Sequence, residues 1–592
     1  MQSDLGFSSL PEDQQPFHER IRRFRDANGL SRAEFAQRLG VAPMTLFRWE
    51  TGTAHPSPLA ALKLREIGLD RKESRSGIEH ETHHGGAGPS ASGSKGQIRL
   101  SMTAGMLQAI PEPFVRNGPR DQSAFHKKLY DLQASSPLPP DTLSNRLSLV
   151  EEVVGFGPTA QHALDRPKEE AVAWNSNYGS HGWHRYVGRF PPHVVRALLN
   201  HFGADATSPV CDPFSGSGTT AVECRLLGIP FVGIEICPLS SMMIRVKAGF
   251  PDDPRILASL GRKFIAFYDE AWARFLDNRA SSSLSHEEVL GRRGNLIPPF
   301  TNVERWFTPA ALLGTSLAVE FALGERGFHR EALLLALSSK MRSIGNVDVD
   351  VVRAEYSKTP RQSVDVGRLV ARQLQRMSRD IEDSIQSHRS LIGAPGSIVL
   401  HEGSVLDVEL PEDSVAHVIT SPPYGTEAIS YLRTHLLSYR SLVAHLGHDP
   451  YATREKTIGS EYLSDSAPNA GDRAQSLSKT CNRFFSTHPP QEDGDGASRR
   501  ASMLQFCDDM WEVADRLSRW LRKGGSIAFI IGNKRLGRDV IPMDAIVSEL
   551  FASCGIELYE SIAHKLKTNN SNSQVPWQDR IIQEERILLF RK

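Results

Sequence analysis

The spacing of hydrophobic and polar positions divides the chain into regions of different periodicity. Over residues 16–70 the pattern is typical of short helices joined by tight turns, and over 71–97 it gives way to a polar, Gly- and Ser-rich stretch. From about Trp183 onward, apolar runs of strand length alternate with runs of helix length. The pattern therefore predicts a small all-α domain, a flexible linker and an α/β domain over 178–592.

The α/β region opens with a strand, a helix and a second strand. The segment SPVCDPF predicts a strand that ends in a turn, TTAVECRLLG a helix, and PFVGIEI another strand. Helical periodicity then dominates about 240–395, until strands return with SIVLHEGSVLD and VAHVITSPPY. We therefore expect a helical insertion within the α/β domain, whereas the preceding segment 98–177 receives no assignment.

The C-terminal third combines a polar stretch with a return of the sheet pattern. Residues 460–502 are rich in Ser, Asp, Asn and Gly, which predicts a long loop within a loop-rich insertion over about 426–505. After it, WEVADRLSRWLRKGG predicts a helix with a glycine stop, SIAFIIGN a buried strand, MDAIVSELFASCG a helix and ERILLFRK a closing strand. The sheet is thus expected to end with the chain.

Composition limits the kind of protein this can be. The 592 residues contain 69 Lys and Arg against 69 Asp and Glu, so any basic surface that attracts nucleic acid must be local. The six cysteines form no C-x-x-C pair, which argues against a zinc knuckle or a disulfide framework. The N-terminus lacks the apolar core of a signal peptide, and no long apolar window occurs. We expect a soluble, cytoplasmic protein with no membrane partner.

Two histidines invite comparison with a metal site. His181 and His184 stand three residues apart in HGWHRYVG, but no further Cys or His cluster completes a ligand set. We therefore expect no metal, and we expect both side chains to face solvent or substrate.

The segment DPFSGSGTT is the first candidate site, at the end of a predicted strand and the start of a helix. Gly216 and Gly218 allow a tight turn and close approach of the backbone to a ligand, while the helix N-terminus favours polar or anionic groups. Glu235 ends the next predicted strand, where a carboxylate can accept both hydroxyls of a ribose. The pair predicts a nucleoside-binding site more specifically than either part alone.

The segment TSPPYG is the second candidate site. Its two prolines fix an extended backbone just beyond a strand end, so that the Ser421 side chain and the Pro422 carbonyl can point into a cleft. Both groups accept hydrogen bonds from an amino group, and Tyr424 offers a face on which a base can stack, a contact worth about 1 to 3 kcal/mol. An ordinary proline-rich turn is the alternative interpretation.

Together the two segments resemble those of the amino-group DNA methyltransferases, which make N4-methylcytosine or N6-methyladenine. The resemblance covers roughly residues 183–592, with two insertions and the unpermuted motif order, and it implies a Rossmann-like domain with S-adenosylmethionine as cofactor. The D-P-F-x-G-x-G segment contacts the cofactor in that family, the RFPPHVVRALL segment is similar to another cofactor-side motif, and GSVLD stands where an acid often lies near the adenine ring. The implied cofactor-binding residues are Phe190, Asp212, Pro213, Phe214, Gly216, Gly218, Thr219, Glu235 and Asp407.

The family's [SDN]-P-P-[YFW] segment holds the target base. The resemblance therefore implies four catalytic residues, Ser421, Pro422, Pro423 and Tyr424. Serine at the first position is commoner among cytosine-N4 enzymes, which favours that target, and an adenine-N6 enzyme is the alternative. The implied mechanism is in-line methyl transfer to a base flipped out of double-stranded DNA, and it needs no cysteine nucleophile.

The N-terminal domain contains a separate motif. In LSRAEFAQRLGVAPMTLFRWETG, Ser31 and Glu34 form a capping box, one helix ends at Leu39, and a second runs from about Pro43 to Glu50. This motif resembles the helix-turn-helix of phage Cro and repressor proteins, which implies that Thr45 and Arg48 face DNA. The predicted core is formed by Phe35, Leu39, Val41, Leu46 and Trp49.

Alternatives of other classes remain open. The N-terminal domain could instead be a helical protein-docking module, although residues 18–72 hold eleven Lys and Arg against six Asp and Glu. The whole chain could be a transcriptional regulator whose methyltransferase-like domain is not catalytic, or an RNA amino methyltransferase. A restriction or defence partner is compatible with the resemblance, and neither the DNA target sequence nor the oligomeric state follows from these motifs.

Overall fold

The computed structural model of the chain divides into two compact units, Met1–Gln97 and Ile98–Lys592. Within the described residues, no helix combines the length and apolar character needed to cross a membrane. The described residues are 17–39, 43–51, 125, 128–129, 131–133, 135–139, 141–143, 146, 177–186, 188–278, 283–297, 300–348, 354–357, 364–388, 396–424, 434–446, 456–460, 470–489, 495–536, 539–565 and 584–592.

The first unit contains three short helices. The predicted capping box is confirmed, because Ser31 Oγ accepts from the Glu34 backbone N–H at 3.2 Å and Glu34 Oε2 accepts from the Ser31 N–H at 2.9 Å. Both predicted helices of the motif are confirmed at their bounds. The helices are α1 (Phe17–Ala27), α2 (Arg32–Leu39) and α3 (Pro43–Glu50), and their buried apolar core is Ile21, Phe35, Ala36, Leu46 and Trp49.

The second unit is built on a seven-stranded sheet. The strands of this sheet are β1 (Val210–Asp212), β2 (Phe231–Glu235), β3 (Ile398–Glu402), β4 (Val415–Thr420), β5 (Leu521–Gly532), β8 (Glu557–Lys565) and β9 (Glu584–Arg591). In space they follow the order β3-β2-β1-β4-β5-β9-β8, and the pairings from β3 to β5 are parallel, whereas β9 runs antiparallel to both β5 and β8. A separate hairpin joins β6 (Lys534–Leu536) to β7 (Asp539–Ile541).

Helices cover the sheet, and several of them lie between β2 and β3. Those before β3 are α4 (Pro192–Phe202), α5 (Thr219–Leu227), α6 (Pro238–Ala248), α7 (Arg255–Asp277), α8 (His286–Arg293), α9 (Val303–Trp306), α10 (Pro309–Gly324), α11 (Gly327–Ile344) and α12 (Val366–His388). Those after β4 are α13 (Leu436–Leu442), α14 (Asp472–Leu477), α15 (Lys479–Thr487), α16 (Asp495–Trp520) and α17 (Met543–Ser553). The mixed α/β class expected from the sequence pattern is therefore present.

The central strands are buried on both faces. Along β5, Ala528 and Ile530 pack into the core shared with α4 to α12, whereas Ile527, Phe529 and Ile531 pack into the core shared with α14 to α17. Alternating side chains thus enter opposite cores, which explains why SIAFII is a continuous apolar run rather than an alternating one.

Two predictions about the C-terminal third are wrong. The expected long loop over 460–502 contains α14, α15 and the start of α16, because Cys481 and Phe485 are fully buried and the Ser478 hydroxyl caps α15. Its few apolar side chains lie among polar residues, so its mean composition resembled that of a loop. The glycine stop after α16 also fails, because β5 begins at Leu521 and Gly525 pairs with the chain end at Lys592.

Candidate active site

A cavity of about 1300 Å³, including its open mouth, lies at the carboxyl ends of the parallel strands. The loops after β1, β2, β3 and β4 all contribute to its wall. The strand order reverses between β1 and β4, and ligands of open α/β sheets bind in the crevice at such a switch point. The two candidate segments of the sequence follow these two strands, so the fold brings them into one cavity.

Asp212 connects the two segments. Its Oδ2 accepts from Thr220 Oγ1 at 2.8 Å, at the start of α5, and its Oδ1 accepts from Thr420 Oγ1 at 2.7 Å, at the end of β4. The Phe214 backbone N–H donates to Oδ1 as well, at 3.2 Å. Burial raises the pKa of Asp212 to about 6, although these hydrogen bonds oppose the rise. The carboxyl group therefore fixes the glycine turn against the strand end that precedes Ser421.

The two glycines of the turn serve different purposes. Gly216 has a φ of 51° and lines the cavity, and the nearest atom to a Cβ built there is Tyr186 Oη at 3.7 Å. Gly218 has a φ of 79°, and a Cβ built there lies 2.9 Å from Ile244 Cγ1. Gly218 is absent from the cavity lining, so it allows close packing of α5 on α6 rather than contact with a ligand.

Glu235 lies at the carboxyl end of β2 and lines the same cavity. Its Oε2 accepts from the Gly216 N–H at 2.6 Å and its Oε1 accepts from the Cys237 N–H at 2.8 Å. Burial raises the pKa of Glu235 to about 7, against the effect of these backbone hydrogen bonds. The Ile236 backbone N–H also bonds to this carboxylate, which has about four lone-pair sites, so an acceptor site remains for a ligand hydroxyl.

The second segment forms the opposite part of the wall, and Ser421, Pro422, Pro423 and Tyr424 all line the cavity. Ser421 Oγ lies 3.1 Å from Tyr424 Oη, and Tyr424 Oη donates to Glu585 Oε1 at 3.2 Å. Glu585 belongs to β9 and also lines the cavity. Glu585 was not among the predicted site residues, because the charge pattern of β9 gives no sign that this strand pairs with β5.

The remaining predicted cofactor residues fall into two groups. Phe190, Pro213, Phe214 and Thr219 line the cavity. Asp407 is exposed and is not part of the lining, whereas three earlier residues of the same loop are, namely Gly403, Ser404 and Val405. Lining residues from distant segments were not predicted either, among them Tyr186, Tyr439 and Lys456.

The expectation that His181 and His184 face solvent or substrate is wrong, because both are buried and hydrogen-bonded. His181 Nε2 lies 2.8 Å from Glu223 Oε1, and burial lowers the pKa of His181 to about 4. His184 Nε2 lies 2.8 Å from Ser338 Oγ. Glu223 also accepts from the buried Arg196, so these polar groups stabilise the packing behind the glycine turn. In the described part of the chain, no cluster of three or more His, Cys, Asp or Glu side chains could hold a metal ion.

In the first unit, the side chains of Thr45 and Arg48 lie outside the described residues. The buried Glu50 at the end of α3 binds Arg25 Nε at 2.5 Å and Arg32 Nε at 2.8 Å. The Arg32 guanidinium also lies 5.1 Å from the centre of the half-exposed Phe47 ring. These contacts fix α3 against α1 and α2.

Known proteins are similar to the chain both in its N-terminal helical segment and in the region of the candidate site. Residues 21–67 match the family described as Helix-turn-helix, and residues 158–239 match the family described as DNA methylase. The chain is 23% identical to the Type II methyltransferase M.BsoBI of Geobacillus stearothermophilus, over 71% of this chain and 86% of that protein. It is 22% identical to the Type II methyltransferase M.MvaI of Kocuria varians, over 70% of this chain and 92% of that protein.

Two further likenesses are more local. The Type II methyltransferase M.MjaII of Methanocaldococcus jannaschii is 43% identical over 68 residues, 11% of this chain and 12% of that protein. A solved structure of a DNA modification methylase from Thermus thermophilus is 18% identical over 32% of this chain and 48% of that chain, with a TM-score of 0.15, too low to support an argument. The chain thus contains one segment similar to helix-turn-helix proteins and another similar to DNA methylases, and the relatives that it matches over most of their length are Type II methyltransferases.

Proposed function

We propose that the protein transfers a methyl group from S-adenosylmethionine to N4 of cytosine in double-stranded DNA. The observation that carries the proposal is the single cavity that joins the glycine turn and Glu235 to the tetrad Ser421–Tyr424. An enzyme that transfers a group from a cofactor to a base needs the two binding sites within reach of one another. The sheet then serves as a Rossmann-like platform, with both ligands at its carboxyl edge.

The cofactor side of the cavity fits S-adenosylmethionine. Glu235 presents a buried carboxylate beside Gly216, which lines the cavity without a side chain. This arrangement suits a ribose with two adjacent hydroxyls. Phe214 and Val405 add apolar surface on which an adenine ring can pack. We propose that Phe190, Pro213 and the loop containing Ser404 complete the cofactor site, and that Asp407 acts from outside the cavity.

The base side fits an exocyclic amino group. Ser421 Oγ and the Pro422 carbonyl are both acceptors at the cavity wall, and Tyr424 provides a ring for stacking. Hydrogen bonds to these acceptors hold the amino nitrogen with its lone pair directed toward the cofactor side. Serine at the first tetrad position supports cytosine, while adenine N6 is the alternative amino group that the same acceptors can hold.

When bound, S-adenosylmethionine supplies an electrophilic methyl group that is attached to a positively charged sulfur. As the nitrogen–carbon bond forms and the sulfur–carbon bond breaks, the amino nitrogen must lose one proton. Ser421 Oγ, Tyr424 Oη and the Glu585 carboxylate form a chain of hydrogen bonds that leads away from the base position. We propose that this chain takes up the proton, with Glu585 as its final acceptor.

We further propose that the chain contacts DNA twice. The catalytic region, proposed to span 178–592 with its insertions at about 240–395 and 426–505, binds the target. The helix-turn-helix over 16–70, joined by the linker 71–97, places Thr45 and Arg48 in a major groove. The excess of basic residues over 18–72 supports this second contact, because phosphate neutralisation is the main source of affinity for DNA.

Mass spectrometry of nucleosides tests the proposal. Plasmid DNA is incubated with the protein and isotopically labelled S-adenosylmethionine, digested, and compared with a reaction of the Ser421→Ala variant. Labelled N4-methylcytosine is the expected product for the wild type only, whereas labelled N6-methyladenine would move the target to the alternative base. Absence of label, with cofactor binding demonstrated, would contradict a DNA methyltransferase and direct the search to RNA.

A further inference from the structure

A second cavity of about 430 Å³, including its open side, lies beside the active site. It forms where three segments meet, namely His184 and Arg185 before the cofactor turn, the end of α11 in the insertion, and residues 434–438 after the tetrad. Two arginines and two histidines line it, and none of its described lining residues is an aspartate or glutamate. Burial lowers the pKa of both histidines, so the two guanidinium groups supply the positive charge of this wall, although the whole chain is neutral.

Hydrogen-bond donors in this cavity are available to a ligand. The exposed Arg185 side chain has no hydrogen bond or ion pair among the described residues. His435 is only 8% exposed, yet its Nε2 has no partner within the part of the chain that the structure describes. The neighbouring His184 differs, because its Nε2 contacts Ser338 Oγ and its Nδ1 contacts the Arg185 carbonyl oxygen, each at 2.8 Å. An unpartnered buried nitrogen in a cavity costs free energy unless a ligand or water satisfies it.

Arg342 is the second source of positive charge in this cavity. Arg342 Nη2 donates to the Asp348 carbonyl oxygen at 2.8 Å, and this neutral acceptor fixes the guanidinium in place. Ser339 Oγ donates to the Ala336 carbonyl oxygen, so its proton is not offered to the cavity. The donors of Arg185 and His435, together with the charge of Arg342, suit an anion with several oxygens.

One aromatic ring connects this cavity to the active site. The rings of Tyr186 and His435 are stacked, with centroids 5.4 Å apart and an interplanar angle of 27°. Tyr439 meets the His435 ring edge-on at 6.4 Å. Both tyrosines line the active-site cavity, whereas His435 lines the second one. A group bound at His435 is thus separated from the active-site cavity by the ring of Tyr186.

From this geometry we infer that the second cavity binds a phosphate group, namely a phosphodiester of the DNA strand next to the extruded nucleotide. The inference rests on the proposed function, since it assigns DNA to the neighbouring cleft. Arg185 and His435 contact the phosphate oxygens, and Arg342 adds charge. Such a contact fixes the strand without reading its sequence.

Salt-dependent DNA binding by the full-length protein tests the inference. Arg185→Gln removes the exposed charge, and His435→Phe removes the Nε2 donor while it keeps a ring to stack on Tyr186. Arg274→Gln, at an exposed ion pair with Glu270 on α7, is the matched control. Affinity for a mixed-sequence duplex is measured by fluorescence anisotropy at several salt concentrations. Thermal unfolding checks that each variant folds. If His435→Phe does not fold, Arg185→Gln alone tests the inference.

We expect Arg185→Gln and His435→Phe each to weaken duplex binding about tenfold. Arg185→Gln should also reduce the slope of log Kd against log salt by about 1, whereas Arg274→Gln should leave both quantities unchanged. Calorimetry with inorganic phosphate separates the two sources of a phosphate group. If duplex binding is unaltered while the wild type binds inorganic phosphate and Arg185→Gln does not, the DNA occupant is overturned in favour of a free phosphate.

Unaltered binding of both probes in the variants would overturn the inference altogether. Methylation of plasmid DNA by the wild type is measured in parallel. Methylation that persists while the variants bind DNA normally contradicts the second cavity alone, whereas a wild type that never methylates DNA contradicts the proposed function itself.

Discussion

Two buried carboxyl groups stand on the same side of the active site, and their hydrogen bonds distinguish their roles. Asp212 accepts from two threonine hydroxyls and one backbone N–H, all within the protein. Glu235 accepts from the backbone N–H groups of Gly216, Ile236 and Cys237, and no side chain of the described residues shares its carboxylate. Asp212 therefore positions the backbone, whereas Glu235 is the group equipped to receive a ligand.

The raised pKa of Glu235 predicts a pH-dependent cofactor affinity. Because its pKa in the folded protein is about 7, the group is largely protonated below that pH and has fewer acceptor sites for the ribose. The affinity for S-adenosylmethionine should therefore fall as the pH is lowered from about 8 to about 6. Isothermal titration calorimetry measures this. Glu235→Gln should bind more weakly at every pH and lose this part of the pH dependence, and an unchanged profile in the variant would assign the titration to another group.

The hydrogen-bond chain from Ser421 to Glu585 predicts that both of its later members affect the chemical step. Tyr424→Phe keeps the ring but interrupts the chain, and Glu585→Gln removes the proton acceptor. Single-turnover methylation should slow by roughly 10²-fold in Glu585→Gln, and less in Tyr424→Phe, while cofactor affinity stays near the wild-type value. The control is Glu584→Gln, which removes a carboxylate paired with Arg586. Equal rates in Glu584→Gln and Glu585→Gln would exclude the relay.

Most candidate residues could be found from the sequence because they belong to short motifs at strand ends. Asp212 and Ser421 are separated by about two hundred residues, yet each motif indicated its own ligand. Residues such as Tyr186, Lys456 and Glu585 could not be found, because they reach the cavity only through the packing of distant elements. Asp407 is the opposite case, a residue that was predicted from the sequence but does not line the cavity. Its loop contributes to the wall through earlier residues instead.

At the scale of elements, the spacing of apolar residues predicted the helices and strands that have a strong apolar pattern. It failed for elements that bury only a few side chains. The bounds of α5, α17 and β9 agree with the patterns that predicted them. By contrast, β8 was missed because its sequence, ELYESIAHK, mixes charged and apolar residues along a sheet edge. The order of strands could not be predicted either, since it depends on contacts across the long insertion.

The junction of α5 and α6 predicts a strong effect from one methyl group. Gly218→Ala places a Cβ within 2.9 Å of Ile244 at a left-handed φ of 79°, so both backbone strain and overpacking oppose it. We expect a loss of about 2 to 4 kcal/mol in the free energy of unfolding, measured by denaturant titration. Gly327→Ala is the control, because its φ is 52° but no atom lies within 4 Å of the added Cβ. Similar losses in both variants would mean that backbone strain alone acts at Gly218.

At the scale of the molecule, the chain consists of two units with separate cores. The first has its own buried cluster around Phe35 and Trp49, and the second contains the whole sheet. A protein without residues 1–95 should therefore retain the thermal unfolding midpoint of the catalytic unit to within about 2 °C. Differential scanning calorimetry measures this. A large drop in the midpoint, or insoluble protein, would show that the proposed boundary cuts through a shared core.

The same truncation should separate the two proposed DNA contacts. If the helix-turn-helix contributes phosphate contacts, the shortened protein should bind a mixed-sequence duplex more weakly and with a smaller salt dependence. Its methylation rate at saturating DNA should remain close to that of the full chain, because the cavity and its lining lie entirely in the second unit. Neither contact could be located from net charge, which is zero for the whole chain.

The hydrogen bonds of Asp212 have a thermodynamic consequence for the order in which ligands bind. One carboxyl group holds both the turn assigned to the cofactor and the strand end assigned to the base, so an adjustment at either place is transmitted to the other. Linkage then requires reciprocity: whatever factor the cofactor adds to the affinity for DNA, DNA adds to the affinity for the cofactor. In a Thr420→Val variant that factor should move toward one. The protein would then still bind each ligand but would no longer favour the ternary complex over the two binary ones.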